Sequence, residues 1–189
     1  HLPFVVVHGR SSKAEYSVVD SDNVAGTTLL MNHLLELGHR RIGFVTGRPV
    51  EINTQDRLRS YRRALRARGI RLEDSLVAEG DWTLDSGYAS LRLLMEAAKP
   101  PTAVVFCNDQ MAIGALKAAQ DIGLRVPRDV SIAGYDDIKY ASFTAPALTT
   151  VRQHIGTVGD KVAELVLERM EGRGEPRQVI LKTELVVRA

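Results

Sequence analysis

Short apolar runs alternate along the chain with longer segments in which apolar residues recur every three or four positions. The short runs predict strands at Phe4–Val7, Ile42–Thr46, Leu76–Glu79, Ala103–Cys107 and Val130–Ala133. The periodic segments predict helices at Asn23–Leu37, Thr54–Arg68, Leu84–Ala98, Gln110–Ile122 and Ile155–Glu171. The strand runs are almost entirely apolar, as in a sheet covered by helices on both faces. This alternation predicts an α/β fold with a doubly wound parallel sheet.

Residues at the segment ends support this division of the chain. Asp22 is a suitable N-cap for the first helix, because its carboxylate can accept a bond from a free backbone N–H. Gly38, Gly69 and Gly123 stand where helix C-caps are expected. The segment Gln178–Arg188 predicts one or two edge strands.

Polar and aromatic residues follow most of the predicted strands. They are Gly47 onward, Asp81-Trp82, Asn108-Asp109 and Tyr135-Asp136-Asp137. Ligands of doubly wound sheets bind beyond the carboxyl ends of the strands. We therefore expect these residues to share one rim around a binding cleft.

Composition narrows the class of protein. The 189 residues are 44% hydrophobic, enough for a sizeable core, and the net charge of +2 gives no reason to expect a nucleic-acid-binding surface on the whole chain. The single cysteine, Cys107, cannot form an internal disulfide, which suits a reducing, cytoplasmic compartment. The N-terminal "HLPFVVVHGR" lacks the basic start of a signal peptide, and no run is long enough for a membrane span.

The motifs of common enzyme classes are missing from the sequence. No strand is followed by a glycine-rich dinucleotide loop, a P-loop or a nucleophile elbow. The five histidines do not lie at metal-ligand spacing. Asp136 and Asp137 are adjacent and should point to opposite sides, so we do not expect them to hold a metal ion together. We expect neither an enzyme nor a protein with a cofactor.

Five rim residues favour ligand binding instead. They are Arg57, Trp82, Asn108, Asp136 and Gln153. A planar guanidinium, a carboxylate, two amides and an indole together suit a small polyhydroxylated or nucleobase-like ligand. Each residue also has an ordinary structural interpretation: a solvated arginine, a lid over the core, a helix N-cap, a turn cap and a surface glutamine. For Arg57 alone the solvated arginine is the simpler interpretation, because five more arginines share its helix.

The order of motifs along the whole chain resembles the lac-repressor/galactose-repressor family of bacterial transcription regulators. The resemblance is carried by "VDSDNVAG", "HLLELGHRRIGFVTG", "RLRSYRRAL", "GDWTLDSGY", "CNDQMAIGAL", "VSIAGYDDI" and "LTTVRQ". It implies a periplasmic-binding-protein-like core of two lobes, with a small-molecule effector between them. It also implies an N-terminal helix-turn-helix that contacts operator DNA, and a homodimer.

The resemblance assigns roles to individual residues. The implied effector contacts are Asn53, Arg57, Trp82, Asn108, Asp136 and Gln153. His8 stands where many sugar-binding members carry an aspartate, so it either replaces that contact or is a turn residue. The segment Ile138–Thr144 matches part of the family's dimer interface, so Tyr140 and Phe143 are expected to face a partner subunit.

The resemblance also predicts how the chain is divided between lobes. Residues 1–21 and 151–179 are expected in the N-terminal lobe, residues 22–150 in the C-terminal effector-binding lobe, and residues 180–189 in a C-terminal edge strand. No helix-turn-helix is present in this sequence, so we expect the chain to be a fragment that does not recognise operator DNA by itself.

Three functional hypotheses remain from the sequence. The first is the effector-sensing part of a cytoplasmic transcription regulator, in which effector binding changes operator affinity. The second is a periplasmic sugar-binding protein of a transporter, which would need export. The third is an enzyme acting on sugars, which would need a paired acid and base that the sequence lacks. For the ligand, a sugar or sugar acid is favoured over a purine.

Overall fold

Strands and helices alternate through residues 4–9 and 16–188, the residues that the computed structural model describes. The strands are β1 Val5–Val7, β2 Ser17–Ser21, β3 Ile42–Thr46, β4 Val77–Glu79, β5 Ala103–Phe106, β6 Ser131–Ala133, β7 Thr150–Arg152, β8 Gln178–Leu181 and β9 Glu184–Val186. The α-helices are α1 Asn23–Glu36, α2 Ile52–Ala67, α3 Leu84–Met95, α4 Asp109–Asp121 and α5 Ile155–Met170. Short 3-10 turns cover Asp74–Leu76 and Lys139–Ser142.

The larger sheet has four parallel strands in the order β4-β3-β5-β6. β3 and β5 are buried at every position, because helices cover both faces of the sheet. The main hydrophobic core lies here, around large buried side chains such as Phe44, Phe106 and Leu91. The parallel strands between crossing helices confirm the predicted doubly wound α/β class.

The smaller sheet has three parallel strands in the order β1-β2-β8. α5 packs on it through a second apolar cluster that includes Val19, Val158 and Leu165. The sequence prediction missed β2, because only Val18 and Val19 are apolar in the run "SVVDS". All five of its residues are nevertheless buried, so tertiary packing decided an element that local hydrophobicity does not predict.

The passage after β6 returns beside the strand that it left. Asp136 N–H donates to Val151 O at 2.8 Å, and Gly134 N–H donates to Thr149 O at 2.9 Å. β7 also pairs antiparallel with β9. The predicted edge segment Gln178–Arg188 therefore forms two strands, β8 in the smaller sheet and β9 against β7.

The predicted element ends agree with the structure to within a few residues. Asp22 caps α1, accepting from Ala25 N–H at 2.8 Å, as predicted. The three predicted C-cap glycines, Gly38, Gly69 and Gly123, have positive φ angles of 94°, 66° and 75°. The helix expected to run to Ala98 ends at Met95, and the first strand starts at Val5 rather than Phe4. Within the described residues, no helix has the length and apolar character that a bilayer crossing would require.

Candidate functional site

A cavity of about 510 Å³ opens at the carboxyl ends of the strands. Its lining residues are His8, Glu51, Ile52, Asn53, Arg57, Trp82, Asn108, Asp136, Ile138, Gln153 and Ile155. All seven residues predicted to contact an effector are in this set. Glu51 and Ile52, at the start of α2, lie there as well.

Arg57 is held in the floor of the cavity and is only 4% exposed. Its Nε donates to Asn23 Oδ1 at 2.8 Å, its Nη1 donates to the carbonyl of Cys107, and its guanidinium lies 3.6 Å from the centre of the Tyr135 ring. The interpretation of Arg57 as a solvated arginine is therefore wrong. It lies one helical turn before the buried Tyr61, so α2 turns it inward, whereas Arg63 on the same helix is exposed.

The hydrogen bonds to Asn23 and Cys107 engage two of the three guanidinium nitrogens of Arg57. No described residue accepts a hydrogen bond from Nη2. A cation that is already stacked and bonded on its other nitrogens is rigid, so it can present Nη2 to a ligand with little further ordering.

Asp136 and Gln153 form a second polar group on the cavity wall. Gln153 Nε2 donates to Asp136 Oδ1 at 2.5 Å. Burial raises the pKa of Asp136, and the charge of Arg57 together with the Gln153 bond opposes that rise. Gln153 is 5% exposed, so its interpretation as a surface glutamine is wrong.

The two consecutive carboxylates diverge, as the sequence predicted. Asp137 accepts from Arg152 Nε and from Arg188 Nη2, each at 2.6 Å, whereas Asp136 accepts from Gln153. Burial alone would raise the pKa of Asp137, but the bonds from Arg188 and Arg152 lower it. Among the described residues, no group of three or more His, Cys, Asp or Glu side chains is placed to hold a metal ion.

Two buried oxygens of cavity-lining residues have no protein partner. They are Asn53 Oδ1, in the first turn of α2, and Gln153 Oε1. An unbonded buried carbonyl oxygen costs about 1–3 kcal/mol, so such atoms are rare unless a ligand or water completes them. Two residues of the cavity lining therefore carry a hydrogen-bond acceptor that no protein group uses.

Trp82 and Asn108 form another part of the cavity wall. Asn108 Nδ2 donates to the carbonyl of Trp82 at 3.0 Å, and Asn108 Oδ1 accepts from Met111 N–H at 2.9 Å as the N-cap of α4. The guanidinium carbon of Arg57 is 6.0 Å from the centre of the Trp82 ring. Asn108 is therefore the helix N-cap that the sequence suggested, and it also lines the cavity.

His8 approaches the cavity from the smaller sheet. Its Nδ1 donates to Asp20 Oδ1 at 3.0 Å, and this bond leaves Nε2 as the other polar atom of the ring. Asp20, at the end of β2, also accepts from Ser21 N–H at 2.8 Å and lies 3.4 Å from Asn23 Nδ2. Through Asn23, the same carboxylate is connected to Arg57.

Sequence reasoning placed Tyr135 on the rim but did not identify the residues that support the predicted contacts. Tyr135, Asn23 and Asp20 hold Arg57 and His8 but are themselves buried. The strings "VDSDN" and "GYDDI" contain all three, yet nothing in either string shows which side chain points at which partner. Ile138 and Ile155 add apolar surface to the cavity and were also missed.

Comparison with known proteins gives a consistent result. Residues 31–189 match the family described as the periplasmic binding protein-like domain. The HTH-type transcriptional regulator CelR of Thermobifida fusca is 38% identical over 175 residues, which are 92% of this chain and 52% of CelR. The HTH-type transcriptional repressor PurR of Salmonella newport (strain SL254) is 38% identical over 182 residues, 95% of this chain and 53% of PurR. The chain thus spans about half the length of these relatives.

Solved structures of transcriptional regulators superpose on nearly the whole of this chain. The complex of CelR with cellobiose superposes with a TM-score of 0.92 at 37% identity, covering 98% of this chain and 58% of that one. A LacI regulator of Bacillus cereus subsp. cytotoxis superposes with a TM-score of 0.94 at 29% identity, covering 98% and 67%. The predicted family resemblance is confirmed: the chain belongs to the periplasmic-binding-protein-like family, and its relatives are LacI-family transcriptional regulators rather than enzymes.

Proposed function

We propose that this chain is the effector-binding part of a transcriptional regulator, and that a neutral, hydroxyl-rich molecule binds in the cavity. The observation that carries this proposal is the set of polar residues in the cavity lining, in which Asn53 Oδ1 and Gln153 Oε1 have no protein partner and Gln153 bonds to the Asp136 carboxylate. Three acceptors and the available Arg57 Nη2 match a ligand with several hydroxyl groups, since each hydroxyl both donates and accepts.

The charges of the cavity favour a neutral ligand over an anion. The guanidinium of Arg57 is already bonded to Asn23 and Cys107, and the neighbouring Asp136 is an acid. A sugar acid or sugar phosphate would bring its negative charge next to carboxyl and carbonyl oxygens. The indole of Trp82 offers a flat apolar surface for the C–H face of a sugar ring. The cellobiose of the CelR complex is a ligand of this class.

Effector binding would change the position of the smaller sheet relative to the larger sheet. The cavity receives His8 from the end of β1 and the other polar contacts from the larger sheet, α2 and the segment after β7. A ligand that bonds to both sides favours the arrangement in which they are close. We propose two lobes with the boundaries that the sequence suggested. The boundary between residues 150 and 151 falls within β7, and the boundary between residues 179 and 180 falls within β8.

Operator DNA and a second subunit are the proposed macromolecular partners. Contact with DNA would require a helix-turn-helix outside this chain, and it would place the protein in the cytoplasm. For the homodimer we propose the surface around Tyr140 and Phe143, which are 69% and 75% exposed beside Ile113 and Leu84. Replacing Phe143 with Lys should shift the chain from dimer to monomer in analytical ultracentrifugation. A monomer in the unsubstituted chain would contradict this surface.

Fluorescence of the sole tryptophan tests the ligand class directly. We expect cellobiose, ribose or another neutral sugar to change Trp82 emission in a saturable way, and gluconate, glucose 6-phosphate and hypoxanthine to leave it unchanged. A response to hypoxanthine alone would exclude the sugar proposal. For the regulator that contains this chain, the responding sugar should also change operator affinity in a gel-shift or anisotropy titration. An unchanged operator affinity at saturating sugar would exclude the regulatory part.

A further inference from the structure

The backbone of Trp82 has a conformation that bulky residues rarely adopt. Its φ angle is 76°, in the left-handed region where a side chain crowds its own backbone. Such a conformation persists only where surrounding contacts hold it, and it is most common at ligand sites. The contacts that hold Trp82 are therefore informative about the cavity.

The first contact lies within the loop itself. Asp81 Oδ1 accepts from Thr83 N–H at 3.1 Å and from Thr83 Oγ1 at 2.5 Å, closing a turn around Trp82. These bonds and one from Ser86 lower the pKa of Asp81 to about 2, so the turn keeps its carboxylate at neutral pH. Thr83 in turn caps α3 by accepting from Ser86 N–H at 3.2 Å.

The second contact comes from the next helix. Asn108 Nδ2 donates one bond to the carbonyl of Trp82 while Asn108 Oδ1 caps α4, so the nitrogen and the oxygen of this amide each make one bond within the protein. The starts of α3 and α4 are fixed side by side, because a Cβ on Gly114 would lie 1.9 Å from the carbonyl oxygen of Leu84. The rigid helix pair thus sets the distance across which Asn108 reaches Trp82.

The third contact seats the ring. The indole lies so close to the backbone after β3 that a Cβ on Gly47 would be 1.9 Å from Trp82 Cζ2. One edge of the indole is thus fixed against glycine, while Trp82 remains part of the cavity lining.

We propose that Asn108 is a positioning residue, which holds the Trp82 backbone so that the indole forms a preformed stacking wall in the cavity. The family resemblance suggests a different role, a direct bond to the ligand. The amide geometry supports the positioning role, since the bonds to the Trp82 carbonyl and from Met111 N–H fix its orientation toward the protein and leave only its second N–H for a ligand. The identity of the stacked molecule rests on the proposed function, but the positioning does not.

The matched test is Asn108→Asp, which keeps the shape and the acceptor that caps α4 but removes the donor to Trp82. Without any ligand, we expect loss of the tryptophan bands in near-ultraviolet circular dichroism and faster acrylamide quenching of Trp82, with the far-ultraviolet spectrum retained. The control is Gln110→Glu, which adds the same charge to the exposed face of the same helix start and should change neither. Unchanged tryptophan signals in Asn108→Asp would overturn the proposal.

A second variant reaches the same ring without touching the amide. Gly47→Ala should displace the indole and give the same spectroscopic change, because its Cβ would occupy the space of the ring. In either variant the strained backbone of Trp82 can relax, and the indole then leaves its position in the cavity. Cellobiose, or the neutral sugar that responds in its place, should therefore bind either variant roughly tenfold more weakly. Weaker binding of Asn108→Asp with unchanged tryptophan signals would make Asn108 a direct ligand contact and overturn the proposal. Changed signals in a protein whose unsubstituted form binds no sugar would support positioning and reject the proposed ligand.

Discussion

The two ends of the four-stranded sheet differ in how they treat their polar groups. At the amino end, His39 bonds through its two ring nitrogens to Thr102 Oγ1 at 2.9 Å and to Ser131 Oγ at 3.2 Å. Arg41 bonds to Lys99 O at 2.6 Å and to Glu73 Oε1 at 2.5 Å. These contacts connect residues at the amino ends of β3, β4, β5 and β6. The polar side chains named here therefore all have hydrogen-bond partners within the protein.

At the carboxyl end, unused acceptors and unusual backbone angles accumulate. Among the described residues, the non-glycine residues with positive φ are His8, Trp82, Asp136, Asp137 and His154. Each follows a strand within four residues: Trp82, Asp136 and Asp137 follow strands of the four-stranded sheet, whereas His8 follows β1 and His154 follows β7. Asn53 Oδ1 and Gln153 Oε1, in residues of the cavity lining, lack protein partners. The positive φ angles that follow the strand ends indicate that this end is shaped for binding, and the bonded polar groups of the other end indicate a role in stability.

The largest expected effect concerns Asp109, a fully buried acid at the carboxyl end. Burial raises its pKa to about 7, although bonds from Thr150 Oγ1 at 2.6 Å and Ile138 N–H at 2.8 Å oppose the rise. A folded pKa above the unfolded value of 3.8 means that the folded state binds more protons between these values. Stability should therefore fall as pH rises from about 4 to 7, by up to about 4 kcal/mol at about 1.4 kcal/mol per unit.

Urea unfolding of Asp109→Asn at several pH values measures this effect. We expect the unsubstituted protein to lose stability relative to the variant between pH 4 and 8, because the variant cannot ionise. Asp129→Asn is the control, since the bond from Arg125 lowers the pKa of Asp129 to about 2 and its contribution should be constant over that range. Parallel curves for Asp109→Asn and the unsubstituted protein would contradict the prediction.

The next effect concerns Arg57. Arg57→Ala should weaken binding of the responding sugar by about 2–3 kcal/mol, because a charge-assisted contact is lost. It should also destabilise the chain, since Asn23 Oδ1, the Cys107 carbonyl and the Tyr135 ring lose their partner. Calorimetric titration and thermal unfolding measure the two changes. Arg63→Ala, on the exposed face of the same helix, is the matched control and should alter neither.

A smaller effect distinguishes the two ends of the sheet most sharply. Asn53→Ala removes an unbonded acceptor, so the unliganded chain should keep or slightly gain stability while sugar affinity falls by about 1 kcal/mol. Ser131→Ala at the amino end should do the reverse, costing about 1 kcal/mol of stability through the lost His39 bond and leaving affinity unchanged. If both substitutions lowered stability equally, the distinction between the ends would not hold.

The smallest effect is a pH dependence at the amino end. Burial, followed by the charge of His33, lowers the pKa of His39. The folded state therefore resists protonation, and this contribution to stability is full above the unfolded pKa of 6.5 and is lost as pH falls below it. We expect the unsubstituted protein to lose slightly more stability than His39→Gln as pH falls from 7 to 5, measured by urea unfolding of both proteins, because the larger contribution of Asp109 is common to both and cancels in the difference. Sugar affinity at the opposite end should not follow it.

Much of the fold could be predicted from the sequence, because strongly apolar strands and periodic helices determine it locally. The rim of the cavity could also be predicted, since parallel strands bring their carboxyl ends together. β2 could not, because its polar residues are buried only when β1 and β8 flank it. The sequence does not distinguish Arg57 from the other arginines of its helix, because its contacts with Tyr135 and Asn23 exist only in the folded structure. The bond between Asn108 and Trp82 joins loops 26 residues apart, a distance that periodicity does not address.

Asp136 and Asp137 are joined by one planar amide but belong to different networks. One carboxylate bonds to Gln153 in the cavity, and the other bonds to Arg152 and Arg188 near the end of the chain. Because the amide between them is planar, the only backbone torsions that separate the two networks are ψ of Asp136 and φ of Asp137. The bonding of the cavity wall and the bonding of the two arginines beside β7 and β9 are thus two rotatable backbone bonds apart.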